Sequence, residues 1–67
     1  MSKEQFLKLF KVGDIVTSFT WELMSPRHCN AKIVYISKTK EELCIEDEDG
    51  LIVISYLSYN LKKVKDG

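Results

Sequence analysis

Residues 14–21 read DIVTSFTW, and this stretch decides the fold class because it alternates as a β-strand does. In an extended chain its side chains fall on two faces, with Ile15, Thr17, Phe19 and Trp21 on one and Val16, Ser18 and Thr20 on the other. β-branched and aromatic residues dominate the stretch, which favours a strand over a helix. The sequence is therefore expected to build its core around β-strands.

Four more strands are predicted after this one. They read AKIVYISK at 31–38, ELCIED at 42–47, LIVISY at 51–56 and LKKV at 61–64. The dipeptide Asp49-Gly50 is typical of a tight hairpin, and residues 57–60 are predicted to form a single turn. Because LIVISY is apolar on both sides, it is predicted to be a central strand that is buried on both faces.

A short helix is predicted before the first strand, over about residues 3–11. Ser2 and Gln5 have the spacing of a capping box, and Gly13 is expected to end the helix. The expected apolar face of this helix is made of Phe6, Leu7, Leu9 and Phe10. We expect the helix to cover the fourth strand or to close one end of the sheet.

Several short motifs resemble the SH3-like barrel group, particularly its Tudor-like and KOW-like members. They are VGDIV at 12–16, AKIV at 31–34, Asp49-Gly50 and LKKV at 61–64. The resemblance covers about residues 10–64, and the chain departs from the KOW pattern at Asn30-Ala31, where a glycine would be expected. It implies a mainly β protein, a small five-stranded SH3-like barrel over about residues 13–64, within one domain of residues 1–67. In style the chain is similar to small phage and bacterial accessory proteins.

Composition limits the function classes. The chain has 67 residues, and its ten basic and ten acidic side chains cancel. A domain of this size has a thin core and no room for a large cleft, and a nucleic-acid binder usually carries a surplus of Lys and Arg. No apolar run of secretory or membrane-spanning length occurs. A cytoplasmic protein without membrane contact is therefore expected.

Residues 21–29, WELMSPRHC, contain the only Trp, Pro, Arg and His of the chain, which raises the question of a chemical site. Structural zinc needs four ligands, whereas His28, Cys29 and Cys44 are three. The two thiols are expected to be roughly 20 Å apart along the sheet at about 3.3 Å per residue, too far for a disulfide. We expect His28 to be a solvated loop residue and Cys44 a small apolar strand residue. No metal, no cofactor and no enzymatic activity are predicted.

Six of the ten acidic residues fall within nine positions. They are Glu41, Glu42, Glu46, Asp47, Glu48 and Asp49. An EF-hand is excluded because Leu51 occupies a position that requires an oxygen ligand. Two interpretations stay open: a solvated hairpin tip, or an acidic patch that steers a basic partner.

Six of the nine lysines lie near the two ends of the chain. They are Lys3, Lys8, Lys11, Lys62, Lys63 and Lys65. If the chain ends meet, these lysines form one positive surface. The other interpretation is that they serve solubility alone.

The resemblance implies a peptide-binding surface between the first long loop, residues 22–30, and the turn before the last strand. The predicted partner-binding residues are Trp21, Leu23, Met24, Arg27, Tyr56 and Tyr59. The aromatic members could equally belong to the core, where Phe6, Phe10 and Phe19 are expected. The predicted function is a non-enzymatic protein-interaction module, a small regulatory or inhibitory protein that is a monomer or a weak homodimer. The alternative is a nucleic-acid binder that uses the lysines and stacking aromatics.

Overall fold

Five antiparallel strands in one sheet and one short helix make up the described part of the chain, residues 2–20 and 26–67 of a computed structural model. The elements are α1 (Lys3–Leu9), β1 (Ile15–Thr20), β2 (Pro26–Ile36), β3 (Glu42–Asp47), β4 (Gly50–Ser55) and β5 (Tyr59–Lys65). The mainly β class predicted from the alternating pattern is confirmed. Within those two ranges, no helix has the length and apolar character needed to cross a membrane.

The strand order is β4-β3-β2-β1-β5, so β4 and β5 are the two edges of the sheet. The prediction that LIVISY is a central strand is wrong. Ile54 points into the core, but Leu51 and Val53 are 66% and 64% exposed on the outer face. Apolar residues on both faces indicate burial only where other elements cover both faces, and the outer face of β4 is left uncovered at Leu51 and Val53.

The first loop is shorter than predicted because β2 begins at Pro26 rather than at Ala31. Phe19 pairs with Pro26 and Ser18 with His28, with register shifts between these pairs. Asn30 accommodates the irregularity with a φ of 51°, a left-handed conformation in which asparagine is enriched. Its backbone N–H donates to Thr17 Oγ1 at 3.3 Å. The sequence pattern fails here because a strand with a bulge does not alternate regularly.

The capping box of α1 is confirmed. Gln5 N donates to Ser2 Oγ at 3.2 Å, and Ser2 N donates to Gln5 Oε1 at 3.1 Å. The helix ends at Leu9, two residues earlier than predicted, and Phe10 is its extended C-cap. Leu7 and Leu9 are about half exposed, so Phe6 and Phe10 are the buried residues of the expected apolar face.

An aromatic stack joins this helix to the edge strands. The ring of Phe6 lies 4.4 Å from that of Tyr56, which follows β4, and 5.0 Å from that of Phe10. The ammonium group of Lys63 on β5 lies 5.7 Å from the centre of the Phe10 ring. The helix therefore packs between residues of β5 and the residue that follows β4, at one end of the sheet. Phe19 was predicted to be a core residue, but it is half-buried and lies on the face opposite Val16 and Ser18.

A buried carboxylate fastens the chain ahead of β1. Asp14 has no exposed surface and accepts hydrogen bonds from Lys11 N at 2.9 Å, Gly67 N at 3.0 Å and Lys63 Nζ at 3.3 Å. Burial by itself raises the pKa of Asp14, but these donors together outweigh it and hold the pKa below the ordinary value of 3.8. Asp14 thus connects the segment after α1 to β5 and to Gly67.

Tyr56 carries a buried hydroxyl that has no hydrogen-bond partner among the described residues. Burial and the nearby Glu41 carboxylate both raise the pKa of this phenol. A buried donor without a partner costs free energy that a carbon–hydrogen group does not. Replacing Tyr56 with Phe is therefore expected to leave the free energy of unfolding unchanged or to raise it by up to about 1 kcal/mol, measured by urea denaturation. A loss larger than about 1 kcal/mol would show that the hydroxyl has a partner.

Candidate functional site

Three side chains meet at the end of the sheet where β1 ends and β2 begins. His28 on β2 contacts Asp47 at the end of β3, with 3.4 Å between Nδ1 and Oδ2. The imidazole ring also lies 6.1 Å from the ring of Tyr59, the first residue of β5. We call His28, Asp47 and Tyr59 the rim cluster. It lies beside the two ends of segment 21–25, because Thr20 pairs with Tyr59 and Phe19 with Pro26.

The prediction that His28 is a solvated loop residue is wrong. Its side chain is 16% exposed, that of Asp47 is 12% exposed, and both belong to strands. Asp47 is also fixed by its own turn, because Oδ1 accepts from Asp49 N at 2.8 Å. This pair holds the β3–β4 hairpin against β2 and fixes the position of the acidic residues in that hairpin.

A groove of about 550 Å³ lies between β2 and this hairpin, and we call it the acidic groove. Its lining residues are Cys29, Asn30, Glu46, Asp47, Glu48 and Asp49. The predicted acidic patch is therefore divided by the fold. Glu46 to Asp49 line the groove, whereas Glu41 and Glu42 lie at the opposite end of β3.

The predicted partner-binding residues are only partly brought together. Arg27 is exposed as the second residue of β2, and Tyr59 is half-buried in the rim cluster. Trp21, Leu23 and Met24 lie outside the described residues. The prediction that Tyr56 contacts a partner must be corrected, because Tyr56 is 2% exposed and its ring is stacked in the core. Its position next to the last turn in the sequence suggested that Tyr56 lies at the surface. In the structure its ring packs instead against the ring of Phe6 in α1.

The lysines are also divided. Lys8, Lys11 and Lys63 line a groove of about 240 Å³ between α1 and β5, together with Asp66. The Lys3 ammonium donates to the Lys38 carbonyl, so Lys3 lies at the turn between β2 and β3. The Lys63 ammonium donates hydrogen bonds to Asp66 and Asp14, and these bonds raise the pKa of Lys63. Part of the positive charge in this groove is therefore already compensated.

The outer face of the sheet carries an apolar surface that the sequence pattern did not predict. Tyr35 pairs with Cys44, and Cys44 pairs with Val53, so the three residues form a row across β2, β3 and β4. We call these residues the outer row, and a cavity of about 140 Å³ opens beside it. The position of β4 at the end of this row could have been recognised only from the strand order, which makes β4 an edge strand.

A metal site would require histidine, cysteine or acidic side chains of the described residues to lie close together. No group of three or more His, Cys, Asp or Glu side chains within residues 2–20 and 26–67 is arranged to hold a metal ion. Cys29 is exposed and Cys44 is half-buried, and both are free thiols. Cys44 pairs with Tyr35 on the neighbouring strand.

Comparison of the chain with protein families, with curated proteins and with solved structures found no significant match.

Proposed function

We propose that this chain is a non-enzymatic protein-interaction module whose acidic groove binds a basic segment of a partner protein. The observation that carries the proposal is the run of four consecutive acidic residues, Glu46 to Asp49, along one wall of that groove. A small regulatory or inhibitory protein of the phage or bacterial accessory type is the concrete form of this function.

Electrostatics supports a basic partner. Glu46, Glu48 and Asp49 are exposed, and a concave surface lined by one sign of charge focuses the field and speeds the association of an oppositely charged partner. Asp47 is held by His28 at 3.4 Å, so the groove wall is preorganised. Acceptors at fixed positions suit lysine or arginine side chains of an extended segment.

Apolar contacts are proposed to come from the rim. Tyr59 and Arg27 lie at the same end of the sheet as the groove, and both residue types are enriched where binding energy concentrates. Trp21, Leu23 and Met24 are proposed to extend this surface, because residues Thr20 and Pro26 on either side of them belong to strands next to the rim cluster. The acidic groove then supplies orientation, and the rim supplies affinity.

We further propose that the sheet belongs to the SH3-like barrel class. Two observations support this. The strands from β1 to β4 form a consecutive antiparallel meander, and β5 returns to pair with β1 after a short turn. The helix α1 is then an addition that packs at one end of the sheet.

Neutralising the groove is the sharpest test. The double variant Glu46→Gln/Glu48→Gln is expected to reduce retention of the partner from a native-host lysate by about 5- to 30-fold at low salt, in line with about 1–2 kcal/mol for two exposed charge contacts. Retention is measured by quantitative mass spectrometry of proteins held on the immobilised chain. Wild-type retention is expected to weaken steeply with added salt, since exposed charges are screened.

Glu4→Gln/Glu41→Gln is the matched control, because it removes two exposed acids outside the groove. Trp21→Ala and Met24→Ala test the rim contribution. The alternative is a nucleic-acid binder that uses Lys8 and Lys11 in the groove between α1 and β5. Nuclease treatment of the lysate distinguishes it, since retention through nucleic acid would then disappear. Equal retention by both double variants would contradict the proposal.

A further inference from the structure

The edge strand β4 lacks the features that usually keep a sheet edge from pairing. It reads GLIVIS, with no charged residue and no proline, and its register with β3 is uninterrupted from Gly50 to Ser55. Natural edges are normally protected by lysines, prolines or bulges. The opposite edge, β5, carries Lys62, Lys63 and Lys65 and follows that rule. In the described part of the chain, β4 pairs on one side only, with β3.

The outer face next to this edge is apolar as well. Val53 and Tyr35, the two ends of the outer row, are 64% and 58% exposed, and Leu51 on β4 is 66% exposed. An apolar face that continues to an open strand edge is typical of a surface that another strand extends.

We infer that β4 pairs with β4 of a second copy of this chain, antiparallel and centred on Val53. Side chains alternate between the faces, so only a register that sets outer residues against outer residues preserves the core. Pairing centred on Val53 does this. It sets Val53 beside the partner's Val53 on the outer face, and Ile52 beside the partner's Ile54 on the inner face.

The symmetry of the strand about this residue favours a second copy over an unrelated partner. Ile52 and Ile54 flank Val53, so the three central residues of the edge read the same in either direction. The outer rows of the two copies then join into one apolar row that crosses both sheets. Such an interface is isologous and closes at two subunits.

Charge favours the antiparallel arrangement. The hairpin end of β4 adjoins Glu46, Asp47, Glu48 and Asp49, whereas its Ser55 end adjoins the β2–β3 turn. The Ser55 end is of mixed charge, because Glu42 pairs with Ser55 while the turn carries Lys38 and Lys40 and receives the Lys3 ammonium. Parallel pairing would set the two acidic hairpins side by side, whereas antiparallel pairing keeps them apart.

The inference is independent of the proposed function, since β4 contributes none of the residues that line the acidic groove. The dimer would carry two such grooves, and a partner with two basic segments would gain from binding both at once. One six-residue edge buries less area than a stable interface of about 1,200–2,000 Å². Reversible association is therefore expected rather than an obligate dimer.

Sedimentation velocity across about 10 μM to 1 mM protein tests the association. The wild type is expected to shift from monomer to dimer as concentration rises. Val53→Lys is expected to weaken dimerisation at least about 10-fold, because each copy would bring an ammonium group to the two-fold axis. Val64→Lys, at a 54% exposed valine on β5, is the matched control and should dimerise as the wild type does.

A cysteine at the axis tests the register. Residues directly opposite in an antiparallel pair lie about 4.5–5.5 Å apart at Cα, within the range that a disulfide spans. Val53→Cys, in a background with Cys29→Ser and Cys44→Ala, should therefore form a disulfide-linked dimer under mild oxidation, and Val64→Cys in the same background should not. A wild type that stays monomeric at the highest concentration, or equal crosslinking of the two cysteine variants, would overturn the inference.

Discussion

Replacing Phe6 with alanine is expected to lower the free energy of unfolding by about 3–5 kcal/mol. Phe6 is fully buried, and its ring is stacked between those of Tyr56 and Phe10 at 4.4 and 5.0 Å. The substitution removes most of a large apolar side chain and leaves a cavity that the thin core cannot fill. A chain of this size has a total stability on the order of 3–10 kcal/mol, so the substitution should remove a large share of it.

The helix makes this effect larger than burial alone suggests. A helix of seven residues is not stable in isolation, so α1 depends on the aromatic stack for its structure. Without Phe6, the cover over Tyr56 and the end of the sheet is expected to detach. Loss of helical circular dichroism before the main transition would be the sign of this local unfolding.

Urea denaturation followed by circular dichroism measures the change. Leu7→Ala is the matched control, because Leu7 lies next to Phe6 on the same helix and is 51% exposed. It is expected to change the free energy of unfolding by less than about 0.5 kcal/mol. If the two substitutions destabilised the protein equally, the aromatic stack could not be the anchor of the helix.

The second large effect is expected at Asp14. Replacing it with asparagine should lower the free energy of unfolding at neutral pH by about 2–4 kcal/mol. The carboxylate accepts hydrogen bonds from two backbone N–H groups and from Lys63, and it is fully buried. An amide of the same shape has one fewer acceptor oxygen and no charge, so at least one of these donors loses its partner.

The pH dependence of stability gives an independent measure of the same carboxylate. The pKa of Asp14 in the folded chain lies below its ordinary value of 3.8. Between these two values the unfolded chain binds a proton that the folded chain does not, so stability rises with pH in that window. The contribution of Asp14 is therefore complete above about pH 5 and is lost as the pH falls through the folded pKa.

The difference between wild type and Asp14→Asn is consequently expected to shrink below pH 4. Asp66→Asn is the matched control, because Asp66 contacts the same Lys63 ammonium at 3.2 Å but is 74% exposed. It should change stability by less than about 0.5 kcal/mol at any pH. A constant difference between wild type and Asp14→Asn down to pH 2 would contradict the role of the charged carboxylate.

The sequence alone predicted those features that depend on neighbouring residues. The alternation in IVTSFT, the Asp49-Gly50 hairpin and the Ser2/Gln5 capping box are local patterns, and the structure contains β1, the β3–β4 hairpin and the cap where they were expected. Their geometry is set within a few bonds, so no knowledge of distant residues is needed.

The candidate site was predicted only in part. The acidic run was recognised, but its division into groove residues and two distant glutamates follows from the length of β3, which separates Glu42 from Asp47. The contact of His28 with Asp47 joins residues 19 positions apart. It requires β2 to continue back to Pro26 through an irregular register, which the pattern of side chains does not reveal.

Sequence by itself thus determined the mainly β class, the position of the β3–β4 hairpin, the absence of net charge and the composition of the acidic run. Tertiary structure alone decided that Tyr56 is core and not contact surface, that Asp14 is buried, and that β4 is an edge strand with Val53 exposed. The physical reason is the range of the forces involved. Backbone preferences act between neighbours, whereas burial and charge pairing depend on which distant segments the strand order brings together.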